Sequence, residues 1–353
     1  MKVLTKTQLG LIFLALACLI GVITSLIINS IVTNQIIFEA QERVKDHLSS
    51  AKWVYHSELR EIDRTIRWAS VRHVLKRAIK ERNVSPIRNE LTEMMKEEGL
   101  DFLTLVDKKG TVLFRFHYPE QSGDSLLRDP FIQKGLEKKP VAGTQILSEE
   151  ELLKEGKAFV QKASFRLVPT PRARPVEKME ETNGMVLKSA YPLLDFNRDV
   201  LGVLTGGILL NRNYEIVDQI KNIVFKDARY KGKEIGTATI FMGDLRISTN
   251  VMDKEGNRAI GTRAMREVSA QVLEQGIPWI QRAFVVDDWY ITAYEPIEDI
   301  LGRRVGMLYV GMLESKYAVL KEKLILLFFL FSMVGMLFAL TVSFLLSWKI
   351  LKK

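Results

Sequence analysis

Two uncharged apolar runs bracket the chain, Leu9 to Ile28 near the front and Leu324 to Trp348 near the back. Each comes close to the roughly 20 residues that a helix needs to cross the hydrocarbon of a bilayer. Between them the sequence is polar enough for a folded, water-exposed domain. The flanking charges are all lysines: Lys2 and Lys6 before the first run, Lys349, Lys352 and Lys353 after the second. Basic residues stay on the cytoplasmic side, so the pattern predicts a two-pass protein of the cell membrane, with both ends cytoplasmic and the middle outside.

Lysines before an apolar stretch also describe a secretory signal peptide, and Ala15-Leu16-Ala17-Cys18 has something of a lipoprotein cleavage site. A signal peptide's apolar core runs only about 7–15 residues. Here it continues to Ile28 and flows into a helical pattern, which favours a retained anchor. Cys18 is the one cysteine in 353 residues. The outer domain therefore forms no disulfide and no cysteine metal site, and core packing must hold it together. Of the net charge of +9, five charges are the tail lysines, leaving +4 on the rest. That balance, on a domain outside the cytoplasm, weighs against a nucleic-acid partner.

After the first span, apolar or small residues recur at Ile37, Ala40, Val44, Leu48, Ala51, Tyr55, Leu59, Ile62, Ile66 and Ala69. Steps of three and four keep one stripe facing a partner. No proline intervenes before Pro86, so the pattern predicts one helix from Ile31 to about Ile79, rising about 70 Å. The stripe is expected to pack on its own domain and on a second copy, making a homodimer through the stalk. The opposite face, with Arg43, Lys45, Glu58, Arg60, Asp63 and Arg67, reads as a water face.

Strand patterns then come twice. In the first round, Asp101 to Val106 and Thr111 to Phe116 flank the hairpin turn Asp107-Lys108-Lys109-Gly110. A helical segment near Leu126 to Leu136 follows, then strand candidates at Ala158 to Leu167, Met185 to Leu193 and Leu201 to Leu210. In the second, Thr237 to Met242 and Leu245 to Asn250 form the hairpin and Arg263 to Gln275 the helix. Its remaining strands are Trp279 to Val286, Trp289 to Glu295 and Arg304 to Leu313.

This duplicated plan resembles the PAS-like fold of extracytoplasmic Cache sensor domains, arranged as a double Cache module. The segments Phe165 to Pro171, Gly236 to Phe241, Arg246 to Asn250, Arg258 to Arg263, Arg282 to Val286 and Asp288 to Pro296 are similar to the Cache 3/Cache 2 fusion type of bacterial sensor histidine kinases and chemoreceptors. The resemblance covers roughly residues 30 to 322. Such sensors continue after the second span into a HAMP linker and a signalling domain, whereas this sequence stops at Lys353. The resemblance thus implies a separate signalling protein or a missing output domain, as in the sensory half of a histidine kinase.

The expected fold is α+β, with two PAS-like antiparallel-sheet units on a long N-terminal helix, flanked by two transmembrane helices. The expected division is a cytoplasmic tail over 1–8, a first transmembrane helix over 9–29 and the stalk helix over 30–85. The membrane-distal Cache unit spans 86–225 and the membrane-proximal unit 226–322. A second transmembrane helix over 323–348 and a cytoplasmic tail over 349–353 complete it.

Catalytic signals are absent. His47, His56 and His73 sit on the stalk at spacings that put no two on one helix face, and His117 stands alone. No nucleophile elbow, phosphate-binding glycine loop or Cys-x-x-Cys occurs. No catalytic residue, metal or cofactor is expected. Binding is better supported, because both units set cations beside aromatics. In the distal unit the candidates are Arg115, His117, Arg166, Lys188 and Tyr191; in the proximal unit they are Arg246, Arg263 and Tyr290. An arginine fork can hold a carboxylate bidentately, and the resemblance implies small organic acids or amino acids as ligands. Arg166 is expected to grip such a ligand in the distal unit, while Arg246 and Arg263 are expected to be structural. Three prolines in Pro169 to Pro175 exclude helix and inner strand there, leaving an exposed insertion, a lid or a docking loop. The alternative to a ligand sensor is a periplasmic adaptor that binds a protein partner.

Overall fold

The computed structural model describes residues 6–226, 229–230 and 232–350. Lys2, Lys352 and Lys353, on which the orientation argument partly rests, lie outside the described residues. The chain divides into two compact units: Met1–Arg43 with Leu313–Lys353, and Val44–Met312.

Helix α1 (Lys6–Ser70) enters the larger unit at Val44. From there Val44, Leu48, Ala51, Val54, Tyr55, Ile62, Ile66 and Ala69 are buried along one face. The expected unbroken stalk is interrupted, because α1 ends at Ser70 and α2 (His73–Glu81) begins after a two-residue break. The apolar pattern loses phase there. Leu75, Ala78 and Ile79 are the next buried side chains, and a continuing helix would carry Leu75 about 240° around from Ala69. The break lets α2 turn this second stripe inward. Helix α3 (Arg88–Glu97) follows, with Leu91 and Met95 buried.

The first sheet opens with β1 (Phe102–Asp107) and β2 (Val112–Arg115), joined through Gly110 at φ +76°. Then come α4 (Pro130–Leu136), β3 (Val141–Leu147), α5 (Glu149–Glu155), α6 (Lys157–Ala163) and the two-residue pair β4 (Phe165–Arg166) and β5 (Glu180–Glu181). The long strands β6 (Gly184–Leu194) and β7 (Val200–Leu209) complete the sheet. The expected strand from Ala158 to Leu167 is thus corrected. A capping box between Ser148 and Glu151 starts α5, Gly156 ends it, and α6 occupies the segment read as strand. The strand that fills the place is β3, where Ala142-Gly143-Thr144 shows no alternation. Only its register along β6 makes it one.

Helix α7 (Glu215–Phe225) and the short pair β8 (Arg229–Tyr230) and β9 (Lys233–Glu234) lead to the second sheet. Its strands are β10 (Gly236–Met242), β11 (Leu245–Thr249), β12 (Trp279–Val285), β13 (Asp288–Glu298) and β14 (Arg304–Leu313). Between β11 and β12 lie α8 (Arg266–Ser269) and a π-helical turn, Ala270–Glu274. The sheet orders are β2-β1-β7-β6-β3 and β11-β10-β14-β13-β12. Numbered within its own sheet, each reads 2-1-5-4-3, so the plan is duplicated strand for strand.

Helix α1 seats on the first sheet because β7 keeps its helix-facing side small. A Cβ on Gly206 would run into Ile66 of α1, and one on Gly202 would run into the Val106 carbonyl and press on Ile79 of α2. Asp63, read as a water-face residue, faces the sheet instead. It accepts hydrogen bonds from Ser189 Oγ at 2.8 Å and Tyr191 OH at 3.1 Å. Farther down, Tyr55 OH and Thr144 Oγ1 share a 2.8 Å hydrogen bond, and Lys52 Nζ reaches Glu295 of the second sheet at 2.5 Å.

In the smaller unit, α1 and α9 (Glu314–Ile350) are each long and apolar enough to cross a membrane. Their large side chains, among them Leu19, Ile23, Leu26, Phe329, Phe331 and Phe338, are exposed, as lipid-facing residues must be. Gly21 and Ser25 share a groove with Ser332, small residues of the kind that let membrane helices approach.

The part of the expectation that packs the stripe on its own domain is seen here: Leu48 and Ile62 are buried within this chain. Ile62→Ala is expected to cost about 2–5 kcal/mol of stability, read as a lowered melting temperature of the full chain in detergent. An unchanged melt with a lower mass by light scattering would place a second copy on this stripe instead.

Candidate ligand-binding site

Alternation sorts the first sheet into a helix side and a free side. On β6, Ser189 and Tyr191 point to Asp63 of α1, so Lys188 points the other way. The register Thr104↔Arg115 on β1 and β2 and Thr104↔Thr205 on β1 and β7 places these three on the same side as Phe102. They line a cavity of about 290 Å³, walled by Leu126 to Asp129 before α4 and by Ser148 to Glu155 along α5.

Two charge clusters face it. Arg115 is fully buried, and its fork donates to Asp124 Oδ1 and Oδ2 at 2.7 and 3.0 Å. Its Nε donates to Glu155 Oε1 at 3.1 Å, and Glu155 Oε2 lies 2.9 Å from His117 Nε2. His117 Nδ1 accepts the Leu103 amide at 3.3 Å, so the Nε2 edge is the one that carries a proton toward Glu155. Burial alone would raise the Glu155 carboxyl. The hydrogen bond from His117 and the charge of Arg115 outweigh it and hold the group below its ordinary 4.5. Asp124 is likewise lowered, its burial outweighed by Arg115. In the second cluster Lys188 Nζ is bonded to Asp129 Oδ2, reaches Gln145 Oε1 at 3.1 Å and lies 5.1 Å from the Phe131 ring centre. Asp129 also caps α4 by accepting the Phe131 amide at 2.8 Å. Thr104 Oγ1 is buried on the cavity floor without a hydrogen-bond partner among the described residues.

The expected site residues therefore separate. Arg115 and Lys188 line the cavity, and His117 stands behind it through Glu155. Tyr191 is on the helix side, three residues from Lys188 and hence on the other face of the same strand. Arg166 is exposed on β4, outside the cavity. Arg263 donates to both oxygens of Asp244 at 2.9 and 2.7 Å and to the Arg174 carbonyl at 2.7 Å. It holds the proline-rich loop to the second sheet, helped by Val168 N–H to the Gly261 carbonyl at 2.9 Å and by Arg172 over Trp289. That loop is docked at both ends. Arg246 and Tyr290 are buried on the second sheet. Asp124, Asp129, Glu155 and Thr104 do not stand out in the sequence. The Asp129-Pro130 pair, a helix-start signal, is the one legible sign. Among the described residues no cluster of His, Cys, Asp or Glu could hold a metal ion.

Residues 208–324 match the family described as single Cache domain 3. The match takes in the second sheet and the start of α9, and the family is one of sensor domains. No curated protein matches the sequence. Among solved structures, the periplasmic domain of Vibrio cholerae LuxQ is similar at 11% identity over 76% of this chain and 99% of that one, with a TM-score of 0.45. The sensor domain of the V. cholerae histidine kinase DctB is similar at 10% identity over 79% and 98%, with a TM-score of 0.43. The ligand-binding domain of the Campylobacter jejuni chemoreceptor Tlp3, in complex with L-valine, is similar at 9% identity over 82% and 97%, with a TM-score of 0.41.

The depressed carboxyls carry a pH signature. A group whose folded pKa is lowered stabilises the fold above its unfolded value and loses that contribution as the pH falls through the folded one. Glu155→Gln is therefore expected to lower the melting temperature most at neutral pH, and the gap from wild type should shrink as the pH drops below 4.5. A gap that stays constant from pH 7 to about 3 would show that Glu155 is not held charged by Arg115 and His117.

Proposed function

We propose that this chain is a membrane-anchored extracytoplasmic sensor that binds a small zwitterionic molecule, an amino acid or a close relative, in the cavity of the first sheet. The observation that carries the ligand class is the pairing of charge. Arg115 and Lys188 already have carboxylates of the chain beside them. A ligand of one sign would leave a buried partner uncompensated, at about 3–5 kcal/mol. A ligand with both signs can enter each cluster without that loss. Thr104 Oγ1 adds a group still able to bond, and about 290 Å³ suits a molecule of amino-acid size.

In this reading residues 86–225 form the distal unit and 226–322 the proximal one, with both chain ends in the cytoplasm. Ligand acts by binding one arrangement of α5 and the 125–129 loop better than another. Two links carry the change onward. One is the Thr144–Asp299 bridge beside Tyr55, and the other is the loop held by Arg263. The receiving sheet ends in β14, which passes into α9 with no loop residue between Leu313 and Glu314. The output belongs to a separate protein or to a signalling domain.

The test is a thermal-shift and calorimetry screen of the full chain in detergent against amino acids, organic acids and amines. A ligand at 100-fold excess over its Kd should stabilise by about 2.7 kcal/mol. Thr104→Val is expected to weaken an amino acid two- to ten-fold, about 0.5–1.5 kcal/mol, and Arg166→Ala to leave it unchanged. Binding of simple carboxylates with none of amino acids would overturn the ligand class, and a blank screen would favour a protein partner.

Orientation has its own check. Alkaline phosphatase fused after Gly232 should be active, and a cytoplasmic reporter fused after Lys353 should be active too. The reverse pattern would place the sensor inside the cell.

A further inference from the structure

The two sheets share one plan, and the plan includes a hairpin tip whose surroundings differ between them. Strands β6 and β13 are each 11 residues long, and each turns into the next strand through the same length of loop, 195–199 and 299–303. The two tips fold alike. Asp195 Oδ1 accepts the amides of Asn197 and Asp199 at 2.9 Å each, and Asp299 Oδ1 accepts those of Leu301 and Arg303 at 2.9 Å each. The Asp195 amide donates to the Asp199 carbonyl and the Asp299 amide to the Arg303 carbonyl, both at 2.9 Å. Arg198 at φ +65° stands where the second tip has Gly302 at φ +77°. Position by position, Phe196 matches Ile300.

Ile300 has a socket. It is partly buried against the first sheet's core cluster of Val106, Phe131, Ile132 and Ala190. It sits over Gly143 of the edge strand β3, where a Cβ would run into it, and beside it Asp299 bridges in parallel to Thr144. The tip is thus a peg, and its socket is a sheet edge with a small residue over an apolar cluster. Phe196, on the matching tip, is 87% exposed. Its ring is nonetheless aimed, stacked on His73 of α2 at 5.9 Å between ring centres and 26° between planes. Val71 and Val74, which flank His73 along the chain, are exposed as well, and apolar groups gathered at a surface mark contact with another molecule.

The chain's own sheets do not supply the matching socket. Gly143 is already covered by Ile300. In the first sheet Gly143 pairs with Lys188, the fifth residue of β6, and in the second Gln281 pairs with Thr292, the fifth residue of β13. Gln281 and Arg282 are exposed on β12 where β3 has Gly143 and Thr144. A second copy therefore meets Phe196 with no glycine gap. We propose that the 195–199 tip docks a different protein, one whose sheet presents a free edge with a small residue over an apolar pocket wide enough for a phenyl ring. Phe196 is the anchor, and Asp195 lies against the partner's edge strand as Asp299 lies against Thr144. The site is independent of the first-sheet cavity and, from the sensor reading, needs only that the larger unit lie outside the cytoplasm.

The test puts the photoreactive residue benzoylphenylalanine at position 196 of the full chain in its native cells, and at position 153 as control, since Leu153 is also exposed. Position 196 should give one product with a second, extracytoplasmic polypeptide, and position 153 should not. Once purified, that polypeptide should bind the full chain in detergent, and Phe196→Ser should weaken it about 30-fold or more, as an interface anchor does. Phe196→Tyr, which keeps the ring, should weaken it less. Melting of the chain alone separates the filled peg from the waiting one: Ile300→Ser should lower the Tm, and Phe196→Ser should leave it unchanged. A Phe196→Ser chain that melts as early as Ile300→Ser would place the ring inside its own fold and overturn the proposal. So would no product at 196, the same product from both positions, a product of two copies of this chain, crosslinks to lipid alone, or wild-type affinity in Phe196→Ser. A cytoplasmic polypeptide bound through Phe196 would support the peg and overturn the location of the larger unit.

Discussion

The rest of the larger unit depends on one buried face of α1. From Val44 to Ala69 that face packs against the larger unit's own core, and its polar contacts reach both sheets: Asp63 and Tyr55 the first, Lys52 the second. Each sheet has one side that must be covered: α1 lies on that side of the first, and Phe225 of α7 packs against Gly236 on the second. Gly206 matters for this reason, since a side chain there would push Ile66 of α1 away, while Gly202 leaves room for the Val106 carbonyl of β1 and Ile79 of α2. A spine shared by two sheets also couples them, because neither can shift along it without disturbing the same row of side chains.

With their helix sides occupied, the sheets differ on the opposite sides, and they differ in how charge is answered. The first answers Arg115 and Lys188 internally, through Asp124, Glu155 and Asp129. Such pairs order a cavity and restrict it to ligands that respect both signs. The second sheet sets Arg246 among tyrosines and threonines with no carboxylate of the described chain in contact. The same topology thus presents two chemistries, and the carboxylates of α5 and of the 124–129 loop make the difference.

Local pattern reported much of this architecture. The two hairpins, the long strands β6, β7 and β10 to β14, and both apolar helices follow from alternation, turn residues and run length. The failures have specific causes. Strand β3 lacks alternation because it is an edge strand of small residues, and its identity comes from β6. Helix α6 reads as a strand because it is short and its cover comes from elsewhere. The stalk reads as continuous because Ser70 and Val71 contain no breaker; the break is forced by the phase at which Leu75 and Ile79 meet β7.

The site residues show the same division. The strand cations could be named from sequence, and alternation already separates Lys188 from Tyr191. What the sequence by itself determined is most of the elements: two long apolar helices, one long amphipathic helix, four strands of the first sheet and all five of the second, each written in the periodicity of neighbouring residues. Only the tertiary structure decided which charges meet. Lys188 and Asp129 are 59 residues apart, and Arg115 and Glu155 are 40 apart. Their partners are chosen by strand register and, beside Arg115, by the bulge at Leu105/Val106. A shift of one residue there turns a side chain to the other face of the sheet, so the choice belongs to the folded pairing of strands and not to the neighbours along the chain.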